Sequence, residues 1–365
     1  MTGVTKGSTK TSPEVELPWR GITVGLDLSD KFTSLCFLDG SGEIVEEARV
    51  RTTEAAFDQR FGALPPCRAV LEVGTHSPWV SRLLAGCGHD VIIANPGQVR
   101  LIADSVRKTD RSDAETLARL ARIDPELLRP ISHRSAEAQA DLETIRARDV
   151  LVRSRTAIIS HVRGAVKSIG GRLPESDAHY FHKKVAPAVP AELLTAVAPL
   201  LELIASLTAQ IDAFDKRIET LIQQRYPAAR LLQQVPGVGP LISLTFILTI
   251  GDPGRFPKSR QIGPYLGLVP RRRESGERSP QLGISKAGCR YLRTLLVNGA
   301  HYILGFRGPD SDLRRWGLQH AATGGKSGKK RAVVAVARKL AILLHRLWVT
   351  GEVYEPLRSE EVVAA

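Results

Sequence analysis

The sequence predicts an α/β domain followed by two mainly helical regions. Strand and helix signals alternate near the N-terminus, a heptad repeat of apolar residues follows, and strongly apolar helices fill the last third. The predicted segments are a disordered tail (1–19), an α/β domain (20–133), a coiled-coil helical region (134–226), a mainly helical C-terminal domain (227–353) and a second tail (354–365).

The α/β domain is predicted to hold a mixed sheet. "ITVGLDLS" (22–29) is rich in apolar and β-branched residues, and the next stretch has two strand patterns joined at "DGSG", a hairpin turn. The later strands "RAVLEV" and "DVIIANP" alternate with helices. Three antiparallel strands followed by alternating helices and strands are typical of a mixed sheet covered by helices.

A heptad seam characterises the helical region. One helix is predicted from 134 to a break at Gly170-Gly171, and a second runs from 192 to 225. The seam of the second helix consists of Leu193, Val197, Leu200, Ile204, Leu207, Ile211, Phe214, Ile218 and Leu221. Spacings of four and three fit an antiparallel hairpin, an intermolecular coiled coil, or both.

Positive charge is concentrated in the C-terminal part. The 365-residue chain has a formal charge of +13, and residues 226 to 350 carry 21 Lys and Arg against 5 Asp and Glu. Such an excess attracts polyanions by releasing their counterions. Nucleic acid is therefore the leading predicted partner, and an anionic membrane surface is the lesser one.

Other compositional features narrow the function classes. No apolar run of transmembrane length and no signal-peptide core is found, which predicts a protein of the bacterial-type cytosol, associated with the nucleoid and without a membrane partner. The four cysteines are far apart and form no CxxC pair. This pattern disfavours a thiolate metal site and a disulfide framework.

Two carboxylates occur in apolar strand sequences. Asp27 is in the first strand, within "GLDLSD", and Glu72 is at the end of "AVLEV". A buried charge is costly unless it is paired or bound to a metal. If the two strands are parallel neighbours, both carboxylates lie at the same edge of the sheet.

Two further carboxylates, Asp110 and Asp113, begin the helix in "KTDRSDAETLARL". Taken alone they are equally well explained as a helix cap and a first-turn acid. Together with Asp27 and Glu72 they predict a metal site, because four clustered carboxylates repel one another and suit Mg²⁺ or Mn²⁺. Two such ions stabilise the attacking and leaving oxygens of a phosphoryl transfer.

The C-terminal domain contains two further motifs. Pro236-Gly237-Val238-Gly239 lies between helical segments and is interpreted either as a phosphate-binding hairpin, similar to helix-hairpin-helix elements, or as a plain interhelical turn. "ISKAG" places Ser285 before Lys286, which without context is the pattern of a helix N-cap. A serine nucleophile would need a polarised target, which cations around a phosphate supply.

The motifs "GLDLSDK", "LEVGTHS" and "KTDRSDAETLARL" together resemble the DEDD transposases of the insertion-sequence one-ten family, relatives of the pilin-gene invertases. The arrangement is similar to the RuvC/RNase H type of nuclease fold. The four family carboxylates fall on Asp27, Glu72, Asp110 and Asp113. In the family "SKxGxxxLR" marks the serine that attacks DNA, and here it is "SKAGCRYLR", so the resemblance implies that Ser285 is the nucleophile.

The resemblance implies a recombinase that excises and inserts its own element, guided by a structured RNA of that element. The coiled coil is expected to join subunits into a dimer or tetramer. The basic loop "TGGKSGKKR" is expected to be flexible and to contact a phosphate backbone. The predicted nucleic-acid-binding residues are Lys108, Arg111, Gly237, Gly239, Arg271, Arg272, Arg273, Lys286, Arg290, Arg293, Lys326, Lys329 and Lys330.

Three rival functions fit parts of the sequence. A hydrolytic RuvC-like junction nuclease would use the same metals with water as nucleophile. An actin-like sugar or acetate kinase shares "GxDxS" after its first strand, but no second Gly-rich nucleotide segment follows here. A non-catalytic nucleic-acid binder would not need the four carboxylates.

Overall fold

A computed structural model describes residues 21–95, 110–271, 282–323 and 325–358 of the chain, without the side chains of Asp110, Arg111 and Lys326. The chain divides into two compact units, Met1–Ala136 and Glu137–Ala365. The predicted N-terminal tail lies outside the described residues.

The first unit contains a five-stranded mixed sheet, as the sequence predicted. The strands lie in the order β3-β2-β1-β4-β5, with β1 antiparallel to β2 and parallel to β4. The elements are β1 (Thr23–Asp27), β2 (Phe32–Leu38), β3 (Ile44–Arg51), α1 (Glu54–Phe61), β4 (Arg68–Glu72), α2 (Ser77–Gly86), β5 (Asp90–Ala94) and α3 (Asp110–Ile123).

The hairpin turn between β2 and β3 is organised by Asp39. Its Oδ1 atom accepts hydrogen bonds from the backbone amides of Ser41, Gly42 and Glu43 at 2.9, 2.8 and 2.9 Å. The Ser41 hydroxyl donates to the same atom, and this bond is the main reason why the pKa of Asp39 lies below its usual value. The Asp-Gly turn signal in the sequence thus has a specific physical basis.

The two faces of the sheet are covered by different helices. One face packs against α1 and α2, where Phe57, Phe61 and Val80 are fully buried against strand residues such as Leu26. The other face packs against α3, whose Ala114, Leu117, Ala118 and Ala121 are buried. Small residues on α3 allow this helix to approach the sheet closely.

The second unit is mainly helical in the part of it that the structure describes. Its helices are α4 (Ala136–Ser168), α5 (Phe181–Val185), α6 (Leu194–Gln224), α7 (Ala228–Leu232), α8 (Pro240–Ile250), α9 (Ile262–Tyr265), α10 (Arg290–Leu304), α11 (Asp312–Thr323) and α12 (Gly328–Thr350).

Helices α4 and α6 pair as an antiparallel hairpin. Arg148 on α4 makes two hydrogen bonds to the carboxylate of Asp215 on α6, at 2.5 and 3.0 Å. At the base of the hairpin, buried Asp141 accepts hydrogen bonds from Arg225 and from the Tyr226 hydroxyl. Burial and the bond to Asp141 raise the pKa of Tyr226 to about 12. These contacts fix the register of the two helices.

The heptad seam of α6 is buried in part within this same unit. Val197 and Ile204 pack in one cluster with residues of α4 and α5, and Ile218 and Leu221 join the main C-terminal core. The antiparallel hairpin alternative therefore accounts for the seam inside one chain. An intermolecular coiled coil stays a prediction.

The region Ala191–Gln224 is long and apolar enough to span a membrane by length and composition. This differs from the expectation that the chain has no apolar run of transmembrane length; polar residues such as Glu202 and Gln210 lie between the seam positions. Seam residues such as Val197 and Ile204 pack against protein, while 28% of the apolar window is buried within this chain. The absence of a membrane partner remains a prediction.

The main core of the second unit lies around α8, which is buried along most of its length between the base of the hairpin, α10 and α12. The first residues of the predicted C-terminal tail pack onto this unit. The backbone carbonyl of Pro356 accepts a hydrogen bond from the Asp312 amide at 2.8 Å, and Tyr354 packs against the core. The chain from 354 to 358 is thus anchored rather than a free tail.

The basic stretch 325–330 is not the flexible loop that was expected. Gly325–Ser327 forms a short 3-10 turn and α12 begins at Gly328. Gly328 is buried, and an added Cβ would lie 2.3 Å from the carbonyl oxygen of Ala321 on α11. This close approach of backbone to backbone explains why the connection is tight.

Candidate active site

The strand ends bring Asp27 and Glu72 to one edge of the sheet. Strands β1 and β4 pair in parallel up to Leu26 and Leu71, and each carboxylate is the next residue along its strand. The condition under which both carboxylates were expected at one edge, that β1 and β4 are parallel neighbours, is therefore met.

Both carboxylates are on the face of the sheet that α3 covers. Side chains alternate along a strand, so Asp27 shares the face of Gly25, and Glu72 shares the face of Val70. Val70 packs in a buried cluster with Leu117 of α3. A Cβ added to Gly25 would lie 1.9 Å from the carbonyl oxygen of Ala114, so the first turns of α3 rest directly on β1.

Helix α3 therefore places its start beside the two strand ends. Asp113 directly precedes Ala114, and Asp110 is the first residue of the helix. Two strand ends and the start of α3 are thus brought to the same edge of the sheet. Among the described residues, where the Asp110 side chain is missing, no three His, Cys, Asp or Glu lie close enough to hold a metal ion.

The donor set nevertheless fits a hard divalent cation. Oxygen ligands from carboxylates are those that Mg²⁺ and Mn²⁺ accept, and the described part of the chain offers no competing cluster of His or Cys. Asp27, Glu72 and Asp113 are partly buried and belong to three separate elements. Whether all four meet at one ion stays a prediction.

A network of aromatic and imidazole groups borders this edge. The Trp79 indole N–H donates to Nδ1 of His76 at 3.1 Å, and Nε2 of His76 lies 3.2 Å from Asp30. Since Nδ1 accepts from Trp79, the proton of the neutral ring is on Nε2, directed at Asp30. The spacing of Asp30, His76 and Trp79 matches no ligand pattern, so this network is not predictable from the sequence.

Ser285 lies in a short paired segment of the second unit. Its backbone amide donates to the carbonyl of Val269 at 2.8 Å, and the next amide, of Lys286, donates to Gly267 at 3.1 Å. An isolated antiparallel bridge joins Pro270 to Ile284. The serine is thus held by backbone hydrogen bonds to the segment 267–269.

The N-cap interpretation of Ser285 is not what the structure shows. Helix α10 begins at Arg290, and its N-cap is Cys289, whose sulfur accepts a hydrogen bond from the Leu292 amide at 3.5 Å. Ser285 is partly buried and lies upstream of the helix in extended chain. Its hydroxyl is therefore not used to cap the helix.

The backbone after Ser285 adopts an uncommon conformation. Lys286 has φ of +59°, a left-handed value that costs a non-glycine residue about 1–2 kcal/mol. Gly288 has φ of +69°, and an added Cβ there would lie 2.2 Å from the carbonyl oxygen of Tyr265. A Cβ on Gly267 would lie 2.3 Å from the Ala287 amide nitrogen. The two segments are therefore packed at backbone contact.

Arg293 is buried, contrary to the prediction that it binds nucleic acid. The residue is 8% exposed, and its Nη1 donates to the carbonyls of Leu266, at 3.0 Å, and Ala287. A buried guanidinium whose Nη1 is bonded to two backbone carbonyls presents little surface to a phosphate. Helix spacing alone did not separate Arg293 from the exposed Arg290, three residues earlier on α10.

The other predicted nucleic-acid-binding residues are placed as follows. Lys108, Arg272 and Arg273 lie outside the described residues, and the side chains of Arg111 and Lys326 are not described. The exposed cations are Arg271, Lys286, Arg290, Lys329 and Lys330. Their exposure is compatible with DNA binding and does not test it.

In the glycine turn 236–239, the first glycine, Gly237, packs closely against α10. Gly237 has φ of +88°, and an added Cβ would lie 3.1 Å from the carbonyl oxygen of Gly299 on α10. This contact favours the interhelical-turn interpretation for Gly237. Gly239 is exposed, with no atom within 4 Å of an added Cβ, so a phosphate contact there stays a prediction.

Comparisons with known proteins point to one function for the whole chain. Residues 229–313 match a family described as "Transposase IS116/IS110/IS902 family", and residues 24–170 match the DEDD transposase family of IS110 elements. A probable family 20 transposase of Pseudomonas aeruginosa is 30% identical over 91% of this chain and 98% of its own length. The transposase of insertion sequence element IS1111A from Coxiella burnetii is 28% identical over 91% and 90%.

The two family matches fall on the unit with the carboxylates and on the unit with Ser285. The resemblance found in the sequence motifs is confirmed by these matches, and membership of the family decides for a transposase over a kinase. The protein is therefore a DNA transposase, a member of the IS110 family of DEDD transposases.

Proposed function

We propose that this transposase cuts and rejoins DNA through a phosphoserine intermediate, with Ser285 as the nucleophile. The observation that carries the proposal is that Ser285 is held by backbone pairing and does not cap a helix. It lies upstream of α10, paired through its backbone to Val269, while Cys289 caps the helix in its place. A hydroxyl on a rigid segment with no capping role is suited to attack.

The covalent step balances as a phosphoryl transfer. The Ser285 oxygen forms a bond to the scissile phosphorus, and the bond from phosphorus to a deoxyribose oxygen breaks. The serine loses its proton, and the leaving oxygen gains one. Because the phosphodiester is kept as a phosphoserine ester, a second DNA hydroxyl can reverse the step, and rejoining needs no external energy.

Four carboxylates are proposed to hold the divalent cation: Asp27, Glu72, Asp110 and Asp113. When bound, Mg²⁺ or Mn²⁺ would stabilise negative charge on the oxygens around phosphorus. The support is that β1, β4 and the start of α3 converge on one side of the sheet edge. The rigid packing of Gly25 on Ala114 would keep the carboxylates in place.

The active site is proposed to be assembled from two subunits. The carboxylates and the serine belong to separate compact units of the chain. An oligomer, joined through the hairpin of α4 and α6, would bring the serine of one subunit to the metal of another. In the same proposal a structured RNA of the element guides the choice of DNA, which rests on the family resemblance alone.

The nucleophile is tested by covalent trapping. Purified protein is incubated with Mg²⁺, element-end DNA and the RNA that co-purifies with it, and the products are separated on a denaturing gel. We expect a protein–DNA adduct with wild type and none with Ser285→Ala or Asp27→Ala. Asp30→Asn is the control at the sheet edge, since Asp30 is exposed and outside the four carboxylates.

The result that would overturn the proposal is nicked DNA without any adduct, persisting in Ser285→Ala but not in Asp27→Ala. Water would then be the nucleophile, and the protein would cut DNA as a hydrolytic RuvC-like nuclease. An adduct that persists in Ser285→Ala would move the nucleophile to another residue. Mixing Ser285→Ala with Asp27→Ala protein tests the shared site, because activity returns only if two subunits complement each other.

A further inference from the structure

The guanidinium of Arg293 connects the two chain segments that hold Ser285. It donates one hydrogen bond to Leu266, at the start of the supporting segment, and one to Ala287, two residues after the serine. Arg293 itself is on α10, so a single side chain ties a helix to both sides of the paired segment.

The same segments are joined by contacts that leave no room for adjustment. Glycines at 267 and 288 allow backbone to touch backbone, where a Cβ would come within 2.4 Å of its neighbours. The amides of Ser285 and Lys286 donate across the pair. The serine backbone is thus fixed on one side by the ladder and on the other by Arg293.

A left-handed residue needs such support. Lys286 has φ of +59°, and a non-glycine residue keeps such a conformation only when its surroundings determine it. The carbonyl of the very next residue, Ala287, accepts from Arg293. The buried arginine therefore acts at the point where the chain turns away from Ser285.

We propose that Arg293 is a positioning residue for the transposition reaction, which sets the direction of the Ser285 hydroxyl without touching DNA. The inference rests on the proposed role of Ser285 as nucleophile. Both bonds come from one nitrogen, Nη1, whose N–H groups are fixed in the guanidinium plane. A lysine ammonium keeps the charge, but it lies one bond nearer the backbone and its N–H groups rotate freely. Lysine should therefore leave the fold intact and misplace the serine.

The test compares Arg293→Lys with Arg314→Lys. Arg314 has the same chemistry at a different place, because its Nη1 donates to the backbone carbonyls of Ile303 and Gly305. Both variants lose one two-carbonyl connection within the same unit. Only Arg293 adjoins the serine segment, so a role limited to stability would affect both variants alike.

Three quantities are measured for each protein: the melting temperature, the dissociation constant for element-end DNA, and the rate of adduct formation at saturating DNA. We expect Arg293→Lys to slow adduct formation at least tenfold, with DNA affinity within threefold of wild type. Arg314→Lys is expected to keep the wild-type rate at a temperature where it is folded. Arg293→Ala should be slower than Arg293→Lys.

Equal rates for Arg293→Lys and wild type, with Ser285→Ala inactive, would overturn the positioning role and leave the nucleophile in place. A parallel loss of rate in Arg293→Lys and Arg314→Lys would also overturn it, because stability would explain both. If Arg293→Lys bound DNA more weakly but formed the adduct at the wild-type rate, Arg293 would be a DNA-binding residue and the positioning role would be wrong. Adducts that persist in Ser285→Ala would overturn the proposed nucleophile and this inference together.

Discussion

Two arginines on α10 differ in role although they are three residues apart. Arg290 is exposed at the start of the helix, whereas Arg293 is buried and bonded to two carbonyls. The motif "SKAGCRYLR" located both but could not separate them, because burial depends on where the segment 265–269 passes. Contacts between residues distant in sequence are not encoded in local spacing.

Lys286 provides a prediction at the scale of one residue. Its left-handed φ of +59° is strained for lysine and easy for glycine. Lys286→Gly should therefore be more stable than Lys286→Ala by about 1 kcal/mol, measured by urea unfolding. Both variants remove the same positive charge, so their difference isolates the backbone. Equal stability would mean that this residue is not held in the left-handed region.

The packing of α3 on β1 decides the geometry of the carboxylate edge. Gly25 has no space for a side chain, because a Cβ would lie 1.9 Å from the Ala114 carbonyl oxygen. Gly25→Ala is expected to lower the free energy of unfolding by about 1–3 kcal/mol, as overpacking does, and to abolish adduct formation by shifting Asp113 away from Asp27.

The matched control for this prediction is Gly86→Ala, at the last residue of α2. An added Cβ at Gly86 has no atom within 4 Å, so the free energy of unfolding should change by less than about 1 kcal/mol. Urea unfolding and covalent trapping are measured on both proteins. A Gly25→Ala protein with full stability and activity would contradict the close packing of α3.

A half-buried histidine connects α2 to the segment after α3. Nε2 of His133 lies 2.8 Å from the Ser77 hydroxyl, and burial, with help from Arg82 and Arg134, holds the pKa of His133 below its usual value. The unfolded chain therefore binds the proton first as pH falls. The contribution of neutral His133 to the free energy of unfolding is therefore complete above a pH of about 6.5, the pKa of the unfolded chain. It decreases as the pH falls from there to the lower pKa of the folded state.

His133→Asn removes this titration and should flatten that part of the pH profile. The measurement is the free energy of unfolding from urea titrations between pH 5 and 8, for wild type and variant. Above neutrality the free energy of unfolding should depend on pH in the same way in both proteins. Below neutrality it should fall more steeply with decreasing pH in wild type than in His133→Asn. The same slope in both proteins would show that His133 does not determine acid sensitivity.

The elements were more predictable than their contacts. The strands of the sheet and the helix at Asp110 follow from apolar patterning, which is a local signal. The parallel pairing of β1 with β4 is a long-range contact, and it entered the sequence analysis only as a condition. The stretch 325–330 was wrongly predicted as a flexible loop, because the burial of Gly328 against α11 cannot be read from a glycine- and lysine-rich sequence. Composition reports local preference and not tertiary packing.

Over the whole molecule, positive charge is expected to govern DNA affinity. Lys329 and Lys330 are exposed in the first turn of α12. Lys330→Ala should weaken binding to all DNA sequences alike and reduce the slope of log affinity against log salt by about 0.9. Lys183→Ala, an exposed cation on α5, is the control and should leave the slope unchanged. Fluorescence anisotropy of labelled DNA at several salt concentrations measures this slope for Lys330→Ala and Lys183→Ala.

The most direct test of the account identifies the residue that carries DNA. The trapped adduct is digested with nuclease and trypsin, and mass spectrometry locates the remaining nucleotide. The tryptic peptide 279–286, "SPQLGISK", contains both Ser279 and Ser285, so fragment ions must separate them. The account predicts the nucleotide on Ser285. A nucleotide on Ser279, or on any residue other than Ser285, would contradict it.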